Sequence, residues 1–238
     1  MGVYPNRQKN TTRREYPLGL LATLVMRFDP GIDRKYRQSV EDAVSVILEK
    51  GNDLHRTIIG AIADSEMLLR VEPVSKINAS GVTGLINPVM TNIRMARERL
   101  NLREALAEIY VAIAEETIDI GGQRGCEGTL VHEGRHAYDF ATTLESLSNS
   151  DVSPLSVFNP TLFELEWEAH KTAGDYMLCM NRQEYLDEGL QLMILGLGDA
   201  GSCFVNDDGI RQRLNESYGL AKDGNQGALA SEMMGILV

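Results

Sequence analysis

No stretch of this chain approaches the ~18–20 consecutive apolar residues that a membrane-crossing helix needs, so no span is expected. The nearest candidate is the short apolar run from Leu18 to Met26, behind Arg13-Arg14. It is too brief and its charged lead too long for a secretory leader, and Met26-Arg27-Phe28-Asp29-Pro30 offers no small-residue cleavage site. A buried strand or helix is the better reading. Cysteine is sparse: Cys126, Cys179 and Cys203 are odd in number and far apart in a large chain, which argues against a disulfide framework. Without a C-x-x-C pair, thiolate ligation of zinc has no support. Reduced thiols favour a cytoplasmic setting, with secretion by another route left open. Positive charge is also short: 23 Lys and Arg stand against 34 Asp and Glu, a net charge of −11. With no basic stripe to displace counterions, nucleic acid and anionic membrane surfaces are not expected partners. The densest basic cluster, Arg94, Arg97, Arg99 and Arg103, is interleaved with Glu98 and Glu104 and reads as a solvated helix face. Gly196-x-Gly198 and Gly201 form no nucleotide-binding fingerprint, because no strand-to-helix unit surrounds them. No repeat, low-complexity tract or linker is present.

The 238 residues that remain to be explained are 43% hydrophobic and 24% charged, ordinary values for a globular chain with its own core. Residues 1–16 are polar and basic without periodicity and read as a loose tail, leaving 17–238 as one domain. Tyr36, Val40, Ala43, Val44, Ile47 and Leu48 recur at helical spacing, so a helix is expected over Asp33–Lys50. Further helices are expected over Leu54–Asp64, Met90–Leu106, Glu127–Leu147, Asn159–Asn181, Gln183–Leu195, Asp207–Tyr218 and Gln226–Leu237. Strands are expected at Met67–Val71 and Ile109–Ile113, the latter followed by extended Thr117–Ile120. Asn78 to Gly84 is turn-rich, and Gly121, Gly122 and Gly125 read as a loop. The fold class is α+β, rich in helix, with a small mixed sheet preceding the helix at Glu127–Leu147.

That helix carries His132-Glu133-Gly134-Arg135-His136, an H-E-x-x-H pattern. Residues four apart share a helix face, so His132 and His136 can hold one metal ion, with Glu133 beside it as a base. A chain of this length matches the pattern by accident on the order of one time in a hundred. The histidines number four, and two are in the motif; the others are His55, read as a partly exposed helix-turn residue, and His170. A third ligand is sought in Glu164, Glu166 and Glu168. Helical phase sets Glu164 and Glu168 with Lys171 and Asp175 on a polar face. It sets Glu166 with Leu162, Ala169, Ala173 and Met177 on an apolar one, where an isolated carboxylate is costly unless a cation meets it. Glu166 is the preferred ligand, and Ala169 leaves room for close packing against the motif helix. Cys126 is read as a buried structural thiol rather than an inhibitory thiolate, and Trp167 as core packing.

His132-Glu133-x-x-His136 followed by Glu166-x-x-Ala169 resembles the zincin metallopeptidases with a glutamate ligand, the gluzincins. The resemblance covers about residues 105–180, and the order of elements upstream is similar to metallopeptidase domains of bacterial effectors and toxins. It implies one zinc ion per chain on His132, His136 and Glu166, and hydrolysis of peptide bonds by a zinc-activated water with Glu133 as general base. It implies a peptide or protein substrate lying along an edge strand, here taken as Ile109–Ala114. It also implies an oxyanion donor, for which Tyr138, Tyr176, His170 and Arg135 are candidates. His170 stands where the family carries an aspartate that orients a zinc-holding imidazole, and Asp139 or Asp175 is the substitute sought. The alternative is a metal-holding domain without peptidase activity that serves as a binding or structural module.

Overall fold

Helix α1, Arg34–Lys50, starts where the Asp33 carboxylate accepts the Lys35 N–H at 2.8 Å. It buries the expected stripe, Tyr36, Val40, Ala43, Val44 and Ile47. The computed structural model describes residues 26–180, 194–199 and 202–236. The expected tail, most of the apolar run from Leu18 and the helix from Gln183 to its last turn lie outside the described residues. Helix α2, Asp53–Asp64, is capped by Asn52, whose backbone N–H donates in return to His55 Nδ1 at 3.0 Å. His55 is therefore not partly exposed. It is fully buried, and its Nε2 meets the Thr172 carbonyl at 2.9 Å.

Burial lowers the His55 pKa, against the opposing pull of the Thr172 carbonyl. The unfolded chain therefore takes up a proton near pH 6.5 that the folded chain refuses. The stabilising effect is complete above that pH and is lost as pH falls toward the depressed folded value. Denaturation midpoints measured at pH 7.5 and 5.5 should drop less in His55→Gln than in the native protein; equal drops would contradict this role for His55.

Four strands form the main sheet: β1 Arg27–Phe28, β2 Leu68–Glu72, β3 Gly81–Leu85 and β4 Ile109–Ala114, in the order β1-β2-β4-β3. β1, β2 and β4 run parallel, and β3 pairs antiparallel with β4, Gly81 opposite Ile113 and Leu85 opposite Ile109. The strand Ile109–Ala114 is thus interior rather than an edge, with its ladder filled on both sides. The edge beside the motif helix belongs to β3. Between β2 and β3 lie a short helix, α3 Val74–Ile77, and Asn78 in the left-handed region at φ 55°.

The helix expected over Met90–Leu106 is two. α4, Pro88–Met95, and α5, Leu102–Ala107, are separated because Asn101 caps the second in a reciprocal capping box with Glu104. Arg94 pairs with Glu98 and reaches Glu108 at 2.8 Å, in keeping with a charged, solvated face.

The motif helix also differs. α6 runs from Glu115 to Leu147 and absorbs both the expected strand Thr117–Ile120 and the expected glycine loop. Glu115 and Glu116 suit the positive end of a helix, which outweighs the β-branched character of Thr117 and Ile118. The glycines supply a kink: Gly122 sits at φ 58°, ψ −157°, a conformation closed to other residues. The arm before the kink is tied down by Tyr36 Oη donating to Asp119 at 2.8 Å and Thr117 Oγ1 donating to the Ser80 carbonyl at 3.0 Å.

α7, Leu162–Cys179, opens at a Thr161–Glu164 capping box, so Pro160 precedes the cap instead of occupying the first turn. A loop with one 3-10 turn, Pro154–Ser156, links it to α6. Beyond it, β5 Leu195–Leu197 and β6 Cys203–Val205 pair as a hairpin, followed by α8 Asp207–Tyr218 and α9 Ala230–Met233. The helix expected over Gln226–Leu237 is cut down to α9 because Gly227 and Gly235, at φ 74° and 68°, bracket it. The fold is α+β, helix-rich with a small mixed sheet. Ile47, Ile59, Ile109, Ile113, Leu130, Leu144 and Tyr176 make its core between α1, α2, α6, α7 and the sheet. Among the described residues no helix is long and apolar enough to cross a membrane.

Candidate metal centre

One turn of α6 presents His132 and His136, and α7 packs against it with Glu166 facing the same space. Ala169, fully buried one turn on, allows the close approach. His132 Nε2 and His136 Nε2 lie 3.1 Å apart. The Glu166 carboxylate sets one oxygen 3.5 Å from His132 Nε2 and the other 3.4 Å from His136 Nε2. A tetrahedral ion with bonds of ~2.0–2.1 Å separates its ligand atoms by about 3.3 Å, so the two imidazole nitrogens stand near metal-ligand spacing and each has a Glu166 oxygen at a similar distance. The donor chemistry agrees. Two imidazole nitrogens and a carboxylate converge, and Glu166 Oε2 is buried with no hydrogen-bond partner among the described residues. A cation is what such a group lacks. These three residues form a group that can hold a metal ion.

Charge within the group follows from burial and contact. Burial would raise the Glu166 pKa, but hydrogen bonding and charge from His132 and His136 overcome it and hold the carboxyl far below the usual range. Burial pulls His136 down, and Glu166 and Glu133 more than offset it. Burial, reinforced by His132, pushes His170 down to about 3, so it is neutral. Its ring lies 4.6 Å from that of His132, and its Nε2 is buried without a hydrogen-bond partner among the described residues.

No protein-family model matches the chain, and no curated protein and no solved structure matches it significantly.

Glu133 lies on the neighbouring face of α6, only 6% exposed, against β3. Thr83 Oγ1 is 2.7 Å from Glu133 Oε2, and a Cβ on Gly81 would sit 2.7 Å from Glu133 Cγ. A cleft of about 630 Å³ opens over these groups, lined among others by Gly81, Thr129, His132, His170, Arg213 and Tyr218.

Several expected residues lie elsewhere. Tyr176 is fully buried and donates its hydroxyl to Glu127 at 2.8 Å, which removes it from the oxyanion candidates. Tyr138 is half-buried against the core and does not line the cleft. Arg135 is engaged with Asp139 at 2.8 Å and Glu168 at 3.6 Å, which removes it from the oxyanion candidates, while the charge of Asp139 also acts on His136. The charge of Asp175 adds to the pull of the Thr172 carbonyl on His55. Glu164 is spent on the α7 cap, as its polar phase implied. Cys126 is buried, its pKa pushed up to about 12 by burial, with Sγ on the Ser39 carbonyl at 3.7 Å; it is a structural thiol. Trp167 stacks on Phe163 at 5.9 Å.

Gly81, Thr83, Arg213 and Tyr218 are the residues that sequence reasoning missed. Burial first, then the charge of Glu166, raises the half-exposed Tyr218 phenol to about 12. Nothing in the spacing of a residue at the end of α8 points back to the motif. Gly81 and Thr83 carry a faint signal, since alternate residues of a strand share one face.

Proposed function

We propose that the protein is a zinc-dependent peptidase. The observation that carries this reading is the convergence of His132, His136 and Glu166 on one space, with the Glu133 carboxylate beside it and an edge strand along the cleft. Three nitrogen and oxygen ligands with an open side are the donor set of a catalytic zinc. Bound there, zinc supplies Lewis acidity, lowering the pKa of a water toward ~7 and polarising a carbonyl.

The chain's own groups supply the rest. Glu133 takes the proton of the attacking water as general base and returns it to the leaving amine. The phenol of Tyr218, protonated throughout the neutral range, donates a hydrogen bond to the oxyanion that develops on the attacked carbonyl. Arg213 adds positive charge to the same wall of the cleft. Neutral His170 offers a second donor. A substrate backbone pairs with β3, the sheet edge nearest the motif. Burial of Glu133 and Glu166 keeps competing water out of the reaction volume.

One observation favours the second reading, a metal-holding module without peptidase activity. His170 stands where the resemblance expects an aspartate to orient a metal-holding imidazole, and Asp139, the carboxylate near His136, is paired with Arg135 at 2.8 Å. Incubation of the zinc-loaded protein with a broad peptide library separates the two. Defined cleavage products that vanish with a chelator support the peptidase; an uncleaved library with zinc fully bound supports the module.

A further inference from the structure

The edge strand does more than border the cleft. Gly81, Thr83 and Leu85 alternate onto the face of β3 that meets α6, while Gly84 turns to the other face, beside the Tyr110 ring. Leu85 enters the core, and the two positions before it hold Glu133. A Cβ at residue 81 would lie 3.0 Å from Glu133 Oε1 and 2.7 Å from its Cγ, so the strand backbone is in direct contact with the carboxylate arm. Thr83 Oγ1 lies 2.7 Å from Glu133 Oε2 and 3.1 Å from the Glu133 carbonyl oxygen. The hydroxyl has one proton. The shorter distance and the charged acceptor direct it to Oε2, with the carbonyl as a weaker second acceptor.

We propose that Thr83 is the positioning residue for Glu133: its hydroxyl holds Oε2 and leaves Oε1, over Gly81, as the oxygen that exchanges protons in the cleft. The inference rests on the peptidase reading for its kinetic consequence but not for the contact itself. Glu has three side-chain torsions, and a base displaced by about 1 Å loses on the order of a hundredfold in rate. Threonine is suited to the task because its branched Cβ fixes χ1 and hence the direction of the hydroxyl. Glycine at 81 is required by the same arrangement, since any side chain there would push the carboxylate arm away. A strand that receives substrate on its outer edge and holds the base with its inner face sets both from one element.

Thr83→Val keeps the shape and removes the hydroxyl; Thr83→Ser keeps the hydroxyl. Against a peptide cleaved by the native protein, Thr83→Val should lower kcat by about 10- to 100-fold with KM and zinc stoichiometry unchanged, and Thr83→Ser should stay within a few-fold of native. Gly81→Ala should lower kcat in the same way. A readout free of activity accompanies these. In a double-mutant cycle of Thr83→Val and Glu133→Ala, the shifts in denaturation midpoint should be non-additive, because each variant removes the same contact. Thr83→Ala takes the place of the valine variant in that cycle should valine fail to fold. Additive shifts, or a Thr83→Val protein as fast as native, overturn the proposal. A coupled pair in a protein that cleaves no peptide supports the hold on the carboxylate and counts against the peptidase reading alone.

Discussion

Glu133→Gln protein should bind zinc at the native stoichiometry, melt close to the native temperature and hydrolyse peptides roughly 10²- to 10⁴-fold more slowly. The substitution is nearly isosteric, which matters because Glu133 is 6% exposed and touches both Gly81 and Thr83. The amide oxygen of Gln still accepts from the Thr83 hydroxyl, so the local packing survives. What disappears is the ability to take a proton from water and give it to the leaving amine. The three metal-holding side chains are untouched, so the loss should fall on kcat rather than on zinc content. Initial rates on one defined peptide, with metal analysis of the same sample, check both halves. A Glu133→Gln protein that cleaves at the native rate would remove Glu133 from the chemistry and, with it, the mechanism proposed above.

Glu166→Ala should remove most of the stability that zinc adds. In the metal-free protein His132 and His136 hold the Glu166 carboxyl far below the usual range, so the folded chain favours the carboxylate, and its removal should lower stability at neutral pH even with chelator present. With zinc present the loss should be larger. A ligand that binds only the folded state at a thousandfold excess over its Kd stabilises by about 4 kcal/mol, and the variant should lose most of that. Its zinc affinity should fall by more than the roughly 10–100-fold that loss of an outer partner costs. Thermal melts of both proteins, each with excess zinc and with chelator, give the four values needed. Equal zinc-dependent shifts in the two proteins would show that Glu166 is not a ligand.

Helical phase was the most informative signal in the sequence. The spacing of His132 and His136 and the apolar company of Glu166 named a triad: in the fold the two imidazole nitrogens lie 3.1 Å apart and each has a Glu166 oxygen at 3.4 to 3.5 Å. The stripe from Tyr36 to Ile47 named α1 for the same reason. The signal failed where local preference and tertiary context disagree. Thr117–Ile120 look extended, yet Glu115 and Glu116 start a helix there and Tyr36 reaches across to fix Asp119. Ile109–Ala114 looks like any strand, and only the pairing order reveals that it lies inside the sheet while β3 takes the edge. The residues around the base were the least legible. Thr83 is separated from Glu133 by 50 residues that hold α4, α5 and β4, and Tyr218 comes from a helix beyond the hairpin, so neither falls within reach of a spacing argument. His55 shows the converse error: a lone histidine near a turn turns out to be buried, tied at both ring nitrogens to backbone.

His132, His136 and Glu166 are proposed to hold one zinc ion. Zinc-edge X-ray absorption on the purified protein, with elemental analysis of the same sample, tests it most directly. The expected result is about one zinc per chain in a shell of nitrogen and oxygen ligands at ~2.0–2.2 Å, lost in His132→Ala. A protein that binds no stoichiometric zinc, or that holds it through sulfur, would contradict it.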